Sequence, residues 1–512
     1  MATPNQKLAA SLAQLETLQE RGRRVFRSGE LTRVHRERLV GNGFLREVMK
    51  GWLVSCSPGA DPGDTTPWFA SFWEFCAAYC TARFGPDWHL SPELSLLLHA
   101  ENTIIPRQVI IYTPGGANNT VELLFGTSLY DLRQKDMPSE ADLTGLDGLR
   151  LFMPEAALVR VPELFYIRHP VEAQVVLSGI RDAADVLRRL LEGGHSVIAG
   201  RLAGAFRRIG RGDVADEILS VMKRTGYDVR ETDPFEPQQT FGPSGRAQAP
   251  IVGRLQSLWE TMRGPVIGAF PEAPGLPEDT GAYLSFVDDI YRNDAYHSLS
   301  IEGYRVTPEL IDRVQVGNWD PDHHDADLQN RDALAARGYW QAFRLVRAVV
   351  SEIIGGGGAG ALVRKAHRDW YCELFQPCVP AGLIVASALA GYRSDAVYLR
   401  GSRHVPPRRE AVRDAMPALF DLLETETEPS VRAVLGHWLF GYIHPYPDGN
   451  GRMARFVMNA MLASGGYPWT VIRVEDRDAY MAGLESASVD QDVGPFAKFL
   501  ADRVAWSLEQ VA

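Results

Sequence analysis

Residues 444–455 read His-Pro-Tyr-Pro-Asp-Gly-Asn-Gly-Arg-Met-Ala-Arg, and no other stretch restricts the fold or the chemistry so tightly. Upstream, Val431, Val434, Leu435, Trp438, Leu439 and Tyr442 recur at helical spacing. Downstream, Met453, Phe456, Val457, Ala460 and Met461 do the same until Gly465-Gly466. The segment is therefore expected to be a tight loop between two buried helices, with its glycines opening the second. A helix start has unpaired N–H groups and the positive end of the dipole, so it favours a bound anion.

The residue types sharpen this. His444 is a base that can titrate near neutrality, and Asp448 is a hard oxygen ligand suited to Mg²⁺ beside phosphates. Gly449, Asn450 and Gly451 let backbone approach an anion closely. Arg452 and Arg455, three apart in the first turn, add permanent cations on one side. A simple connecting turn would use one glycine and one Asn or Asp. This set fits phosphoryl or nucleotidyl transfer.

In this order the residues resemble the Fic motif, His-Pro-Phe-x-Asp/Glu-Gly-Asn-Gly-Arg-x-x-Arg, with Tyr446 where Phe is usual and Pro447 at the variable position. The resemblance implies transfer of AMP from ATP to a hydroxyl of a target protein. His444 would deprotonate the target Ser, Thr or Tyr, and Asp448 would hold Mg²⁺ on the α- and β-phosphates. Gly449, Asn450 and Gly451 would form the anion hole, Arg452 would bind phosphate, and Arg455 would bind the γ-phosphate.

Two further segments are similar to Fic features. Ala390-Gly-Tyr-Arg393, then Val397, Tyr398, Leu399, Arg400 and Gly401, then His404-Val-Pro-Pro407, resembles the flap. That flap is a short hairpin that pairs with the target's backbone, and the composition here reads as extended chain closed by Gly and Pro. Ser298-Leu-Ser-Ile-Glu302-Gly303 resembles the inhibitory Ser/Thr-x-x-x-Glu-Gly/Asn helix, expected around 286–303. Ser298 and Glu302 share a helix face. By the resemblance Glu302 would pair with Arg455, obstruct the γ-phosphate and keep the enzyme mostly silent at rest.

Composition frames these motifs. The 512 residues suffice for two to four domains, and 45% hydrophobic with 23% charged residues is ordinary for a globular protein. A net charge of −11 argues against a nucleic-acid footprint over the whole surface, though not against one basic module. The five cysteines show no metal-ligand spacing and suit a reducing cytoplasm; Cys76 and Cys80 read as buried helix. The N-terminus lacks signal-peptide features, and the most apolar run, 379–392, contains Pro380 and is too short for a bilayer.

The expected organisation is a winged-helix-like segment at 1–55, an α+β then helical regulatory region at 56–230, a linker at 231–251 and a Fic domain at 252–512. The fold class is mainly α: an all-helical core with a short β-hairpin flap, preceded by an α+β half. Residues 1–55 are basic, with two short helices expected from apolar Leu31, Val34, Leu39, Phe44 and Leu45, then a wing from Gly43. This stretch loosely resembles the start of AbiEi-type antitoxin regulators, which makes Arg33, Arg36 and Arg38 candidate DNA contacts. A basic domain that contacts protein would read the same. The acid- and His-rich loop 320–327, the Gly355–Gly358 run and His437 read as loop, connection and core.

ATP, Mg²⁺ and a hydroxyl-bearing protein are the implied substrate, metal and partner. No membrane partner is expected, and self-association is open. Removal of AMP with Glu302 orienting water, transfer of another nucleotide, a nucleotide-sensing DNA regulator and a toxin governed by its N-terminal half are the alternatives.

Overall fold

The computed structural model describes residues 3–59, 61, 63–236, 249–317 and 331–511. The 320–327 loop and most of the expected linker lie outside them. The chain forms two compact units, one from the N-terminal half together with Tyr398–Val405, the other from Ile251–Val397 and Pro406–Ala512.

The first unit is α+β. Thr3 and Gln6 form a reciprocal capping box, and Pro4 starts the helix Pro4–Leu18. Its Leu15 packs with Phe26, Leu31, Leu39, Leu45 and Leu53 in a small core. Strands β1 (Val25–Arg27), β2 (Leu45–Met49) and β3 (Trp52–Ser55) form an antiparallel sheet in the order β1-β3-β2. The β2–β3 turn is Lys50-Gly51, with Gly51 at φ 91°, which glycine tolerates. Strands β2 and β3 form an antiparallel hairpin after Gly43, and the helical expectation needs correction. Between Leu31 and Phe44 there is one helix, Arg33–Gly41, and the other lies at 4–18. Val34 does not join the core and is 59% exposed.

The helix Thr66–Phe84 buries Trp68, Phe72, Phe75, Cys76 and Cys80 against a second sheet. That sheet holds β4 (His89–Leu90), β5 (Gln108–Thr113), β6 (Asn119–Glu122) and β7 (Ser128–Arg133) in the order β4-β5-β7-β6, with β5 and β7 parallel. A hairpin of β8 (Leu143–Leu146) and β9 (Leu149–Phe152) precedes a helical stretch including Pro170–Gly179, Ala184–Glu192, Ser196–Arg208 and Gly212–Arg224.

No strand follows Phe152 among the described residues. The flap-like segment is therefore not a paired hairpin. Its residues 398–405 are held instead by partners in the first unit. Arg24 lies over the Tyr398 ring at 5.4 Å, Arg400 pairs with Asp61 at 2.7 Å, and the Gly401 N–H donates to Thr65 Oγ1 at 3.2 Å. The Ile105 N–H donates to the Arg403 carbonyl at 2.9 Å. The contacts at Tyr398, Arg400, Gly401 and Arg403 are side-chain or single backbone contacts, not a ladder.

The second unit is helical. Its centre is the helix pair Pro429–Ile443 and Asn450–Ala463, whose Leu435, Trp438, Leu439, Phe456 and Val457 are buried. The helices Thr280–Ile301, Arg331–Ile354, Ala359–Phe375, Arg409–Thr425 and Gly494–Val511 pack in the same unit. His437 is buried and meets the Tyr480 hydroxyl at 2.9 Å.

Candidate active site

The loop 444–449 joins the two central helices through two left-handed residues. His444 terminates the first helix at φ 51°, ψ 61°, and Gly449 caps the second at φ 77°. A histidine at positive φ is disfavoured and needs the surroundings to hold it. Arg393 does so. Its Nε donates to the His444 carbonyl at 2.8 Å, its Nη2 to Pro407 and Ile443 carbonyls, and its own N–H to the Pro445 carbonyl at 2.8 Å. Asn450 closes the loop: its Nδ2 donates to the Tyr446 carbonyl at 2.7 Å, and the Tyr446 N–H donates to its Oδ1 at 2.9 Å. The Tyr446 ring stacks on Tyr371 at 3.7 Å.

His444 is half-buried, with Nδ1 3.4 Å from the Gly441 carbonyl. A carbonyl only accepts, so this long contact favours the Nδ1–H tautomer and leaves the Nε2 lone pair available. Burial pushes the imidazole down to about 4, partly offset by the Gly441 carbonyl and assisted by Arg393. The ring is neutral at physiological pH, the form a base requires.

Arg452 is 1% exposed, between the rings of Phe375 at 4.9 Å and Tyr304 at 5.3 Å. Its Nε and Nη2 are buried without hydrogen-bond acceptors, and the Asp448 carboxylate stands 3.8 Å from Nη2. A buried cation with unmet donors is costly unless an anion completes it. Gly449 is obligatory beside this group, because a Cβ there would come 2.7 Å from the Phe375 ring.

Arg455 is also buried. Its Nε donates to Ser298 Oγ at 2.8 Å, and its Nη2 to the Ser298 carbonyl at 3.0 Å and to Glu302 Oε1 at 2.7 Å. Burial alone would raise the Glu302 carboxyl, but Arg455 and Arg452 outweigh it and hold the group below its usual range. Glu302 follows the helix Thr280–Ile301, released by Gly303 at φ 86°. Its Oε1 lies over the next helix start, where a Cβ on Gly451 would be 2.2 Å away. A carboxylate thus occupies the helix N-terminus and neutralises one of its arginines.

Asp448 is largely exposed, and its Oδ1 accepts the Gly449 N–H at 2.6 Å. No cluster of three or more His, Cys, Asp or Glu residues exists among the described residues that could hold a metal. One exposed carboxylate still suits a cation ligated chiefly by substrate phosphates, the usual Mg²⁺ arrangement.

The structure therefore brings His444, Asp448, Gly449, Asn450, Gly451, Arg452, Arg455, Ser298 and Glu302 together in one unit. Residues 398–401 belong to the other unit's contacts. Of the three candidate DNA contacts, Arg36 donates to the Ser28 carbonyl at 3.3 Å and Arg38 to the Lys7 carbonyl and Ser11 Oγ at 2.8 Å. Arg33 is exposed and paired with Glu37 at 2.7 Å. Sequence reasoning placed Arg393 in the flap-like segment, not as a support for His444, and assigned no role to Tyr304, Phe375 or Asp294. For Asp294 a signal existed, since 294, 298 and 302 are spaced along one helix face.

The Fic/DOC family model matches residues 361–462. The protein adenylyltransferase Fic of Nematostella vectensis is 43% identical over 114 residues, covering 22% of this chain and 26% of that protein. The one from Drosophila willistoni is 36% identical over 115 residues, covering 22% of each. The chain thus spans about a quarter of the length of these curated relatives. Among solved structures, Fic-1 from C. elegans is 16% identical with a TM-score of 0.38, covering 68% of this chain and 97% of that one. A Fic domain containing signaling protein from Bacteroides thetaiotaomicron is 21% identical with a TM-score of 0.34, covering 51% and 96%. By the family match, residues 361–462 carry a Fic/DOC domain, and it holds the whole 444–455 loop.

Proposed function

We propose that the chain transfers AMP from Mg²⁺-ATP to a Ser, Thr or Tyr hydroxyl of a target protein. The single observation that supports this best is the buried Arg452 with two unmet donors beside a glycine-built helix start. That arrangement suits a bound phosphate group. His444 Nε2 takes the hydroxyl proton, and the target oxygen forms a bond to the α-phosphorus as the α–β bond breaks. Pyrophosphate leaves with the electron pair. Gly449, Asn450 and Gly451 present N–H groups to the phosphates, Arg452 holds a phosphate, and Arg455 takes the γ-phosphate once released from Glu302. Asp448 would hold Mg²⁺, which when bound offsets phosphate charge. Val397, Tyr398, Leu399, Arg400 and Gly401 are the proposed target-docking segment.

Incubation with α-labelled ATP and lysate tests the assignment. His444→Ala should abolish labelling while ATP still binds, because the phosphate-binding groups are intact. Equal transfer rates for variant and wild type would remove His444 from the role of base.

A further inference from the structure

The second unit contains a cavity of about 600 Å³ outside the 444–455 loop, between the helices Ala359–Phe375 and Arg409–Thr425. At Gly360 the two helices touch backbone to backbone, since a Cβ there would lie 2.6 Å from the Glu424 nitrogen. Towards Arg413 the space between them opens. Arg364, Lys365, Arg368 and Arg413 line it, with Tyr392 and Phe420 as aromatic walls, and no carboxylate is in the lining. Arg364 is engaged by Asp421 and Glu424. Lys365 and Arg413 are exposed, and no ion pair to either is present among the described residues.

The floor is a built hydrogen-bond chain. His367 Nδ1 is 2.8 Å from the Arg364 carbonyl, so Nδ1 donates and Nε2 accepts from the Tyr392 hydroxyl at 2.9 Å. Burial holds His367 neutral, down to about 4. Arg368 lies over the Tyr392 ring at 5.2 Å. The cationic side chains thus stand around a fixed aromatic, neutral base rather than an acidic one.

We propose that this cavity binds a small molecule bearing one or more phosphate groups. Lys365, Arg368 and Arg413, in a lining without a carboxylate, suit phosphate, whose oxygens guanidinium forks match. The volume falls in the range of small-molecule sites, with room for a carrier against Tyr392 and Phe420. Its lining contains none of the residues 444–455, and its test does not require transferase activity.

Inorganic pyrophosphate is the probe, titrated calorimetrically into the full chain without divalent metal. Arg452→Ala removes a cation of the catalytic loop and should leave a pyrophosphate site of unchanged affinity. Lys365→Gln/Arg413→Gln, at exposed positions, should weaken that site by at least about tenfold. Circular dichroism verifies the fold, and the single Arg413→Gln variant should give an intermediate affinity. The proposal is overturned if binding disappears in Arg452→Ala and is unchanged in Lys365→Gln/Arg413→Gln. It is equally overturned if acetate or a short DNA duplex competes as well as pyrophosphate, which would mark a general cationic face.

Discussion

Asp294 shows how burial sets the behaviour of one residue. It lies one turn before Ser298 and accepts the Tyr339 hydroxyl at 2.5 Å. Burial raises its carboxyl to about 6 from the ordinary 3.8, against the opposing pull of that hydrogen bond and of Arg455. The folded state therefore holds this proton more tightly than the unfolded chain does. Its stabilising effect is full below about pH 4 and declines as pH rises towards about 6. Asp294→Asn should remove that decline, stabilising the protein above pH 6 by up to ~3 kcal/mol and giving no relative gain below pH 4. Thermal melts of both proteins across this range check it. A gain independent of pH would mean that Asp294 titrates alike in the folded and the unfolded chain. Tyr446 is a second buried polar group, its hydroxyl without a partner where the resembled motif has Phe. The stack on Tyr371 positions it, not the hydroxyl.

The helix Thr280–Ile301 with its Glu302 cap meets the helix Asn450–Ala463 at Arg455. Glu302→Gly should free Arg455, raise self-labelling and tighten ATP binding. Adding Arg455→Ala should erase most of the gain. The contact is charge-assisted and one partner is buried, so the coupling should be ~1–3 kcal/mol, about five- to hundredfold in population. Labelling assays and ATP titrations on the four proteins of the cycle measure it. The same variant separates adenylylation from AMP removal. A site that uses Glu302 to orient water should lose the removal activity, whereas a transferase should only gain. Wild-type ATP affinity and labelling in Glu302→Gly would make the ion pair irrelevant to control.

Across the whole molecule, the chain returns to its N-terminal unit with Tyr398–Val405 after more than a hundred residues in the other. In this excursion the Gly401 N–H donates to a side-chain acceptor, Thr65 Oγ1. Thr65→Val keeps the shape and deletes the acceptor. Amide exchange at Gly401 should accelerate by about tenfold, as for one lost hydrogen bond, with exchange at Ile105 unchanged. Hydrogen exchange resolved by residue checks it. Acceleration at both amides would mean that the excursion opens as one body. No helix among the described residues is long and apolar enough to cross a membrane.

Local order was legible because local chemistry specifies it. Period-3.6 apolar residues on both sides of 444–455 defined two helices, and the intervening glycines placed the second start at Asn450. Cys76 and Cys80 read as core and are core. The Ser298–Glu302 spacing suggested a shared face, but a face has no partner until helices pack. Tertiary structure decided that Glu302 lies over Gly451, that Arg393 holds His444 in a left-handed conformation, and that Tyr304 and Phe375 enclose Arg452. It also decided that the extended stretch after Val397 pairs with no strand, because ladder formation depends on what backbone stands opposite, not on β-propensity. Arg36 and Arg38 make the same point: their charge was visible in the sequence, and the carbonyls that take up their donors came only from packing.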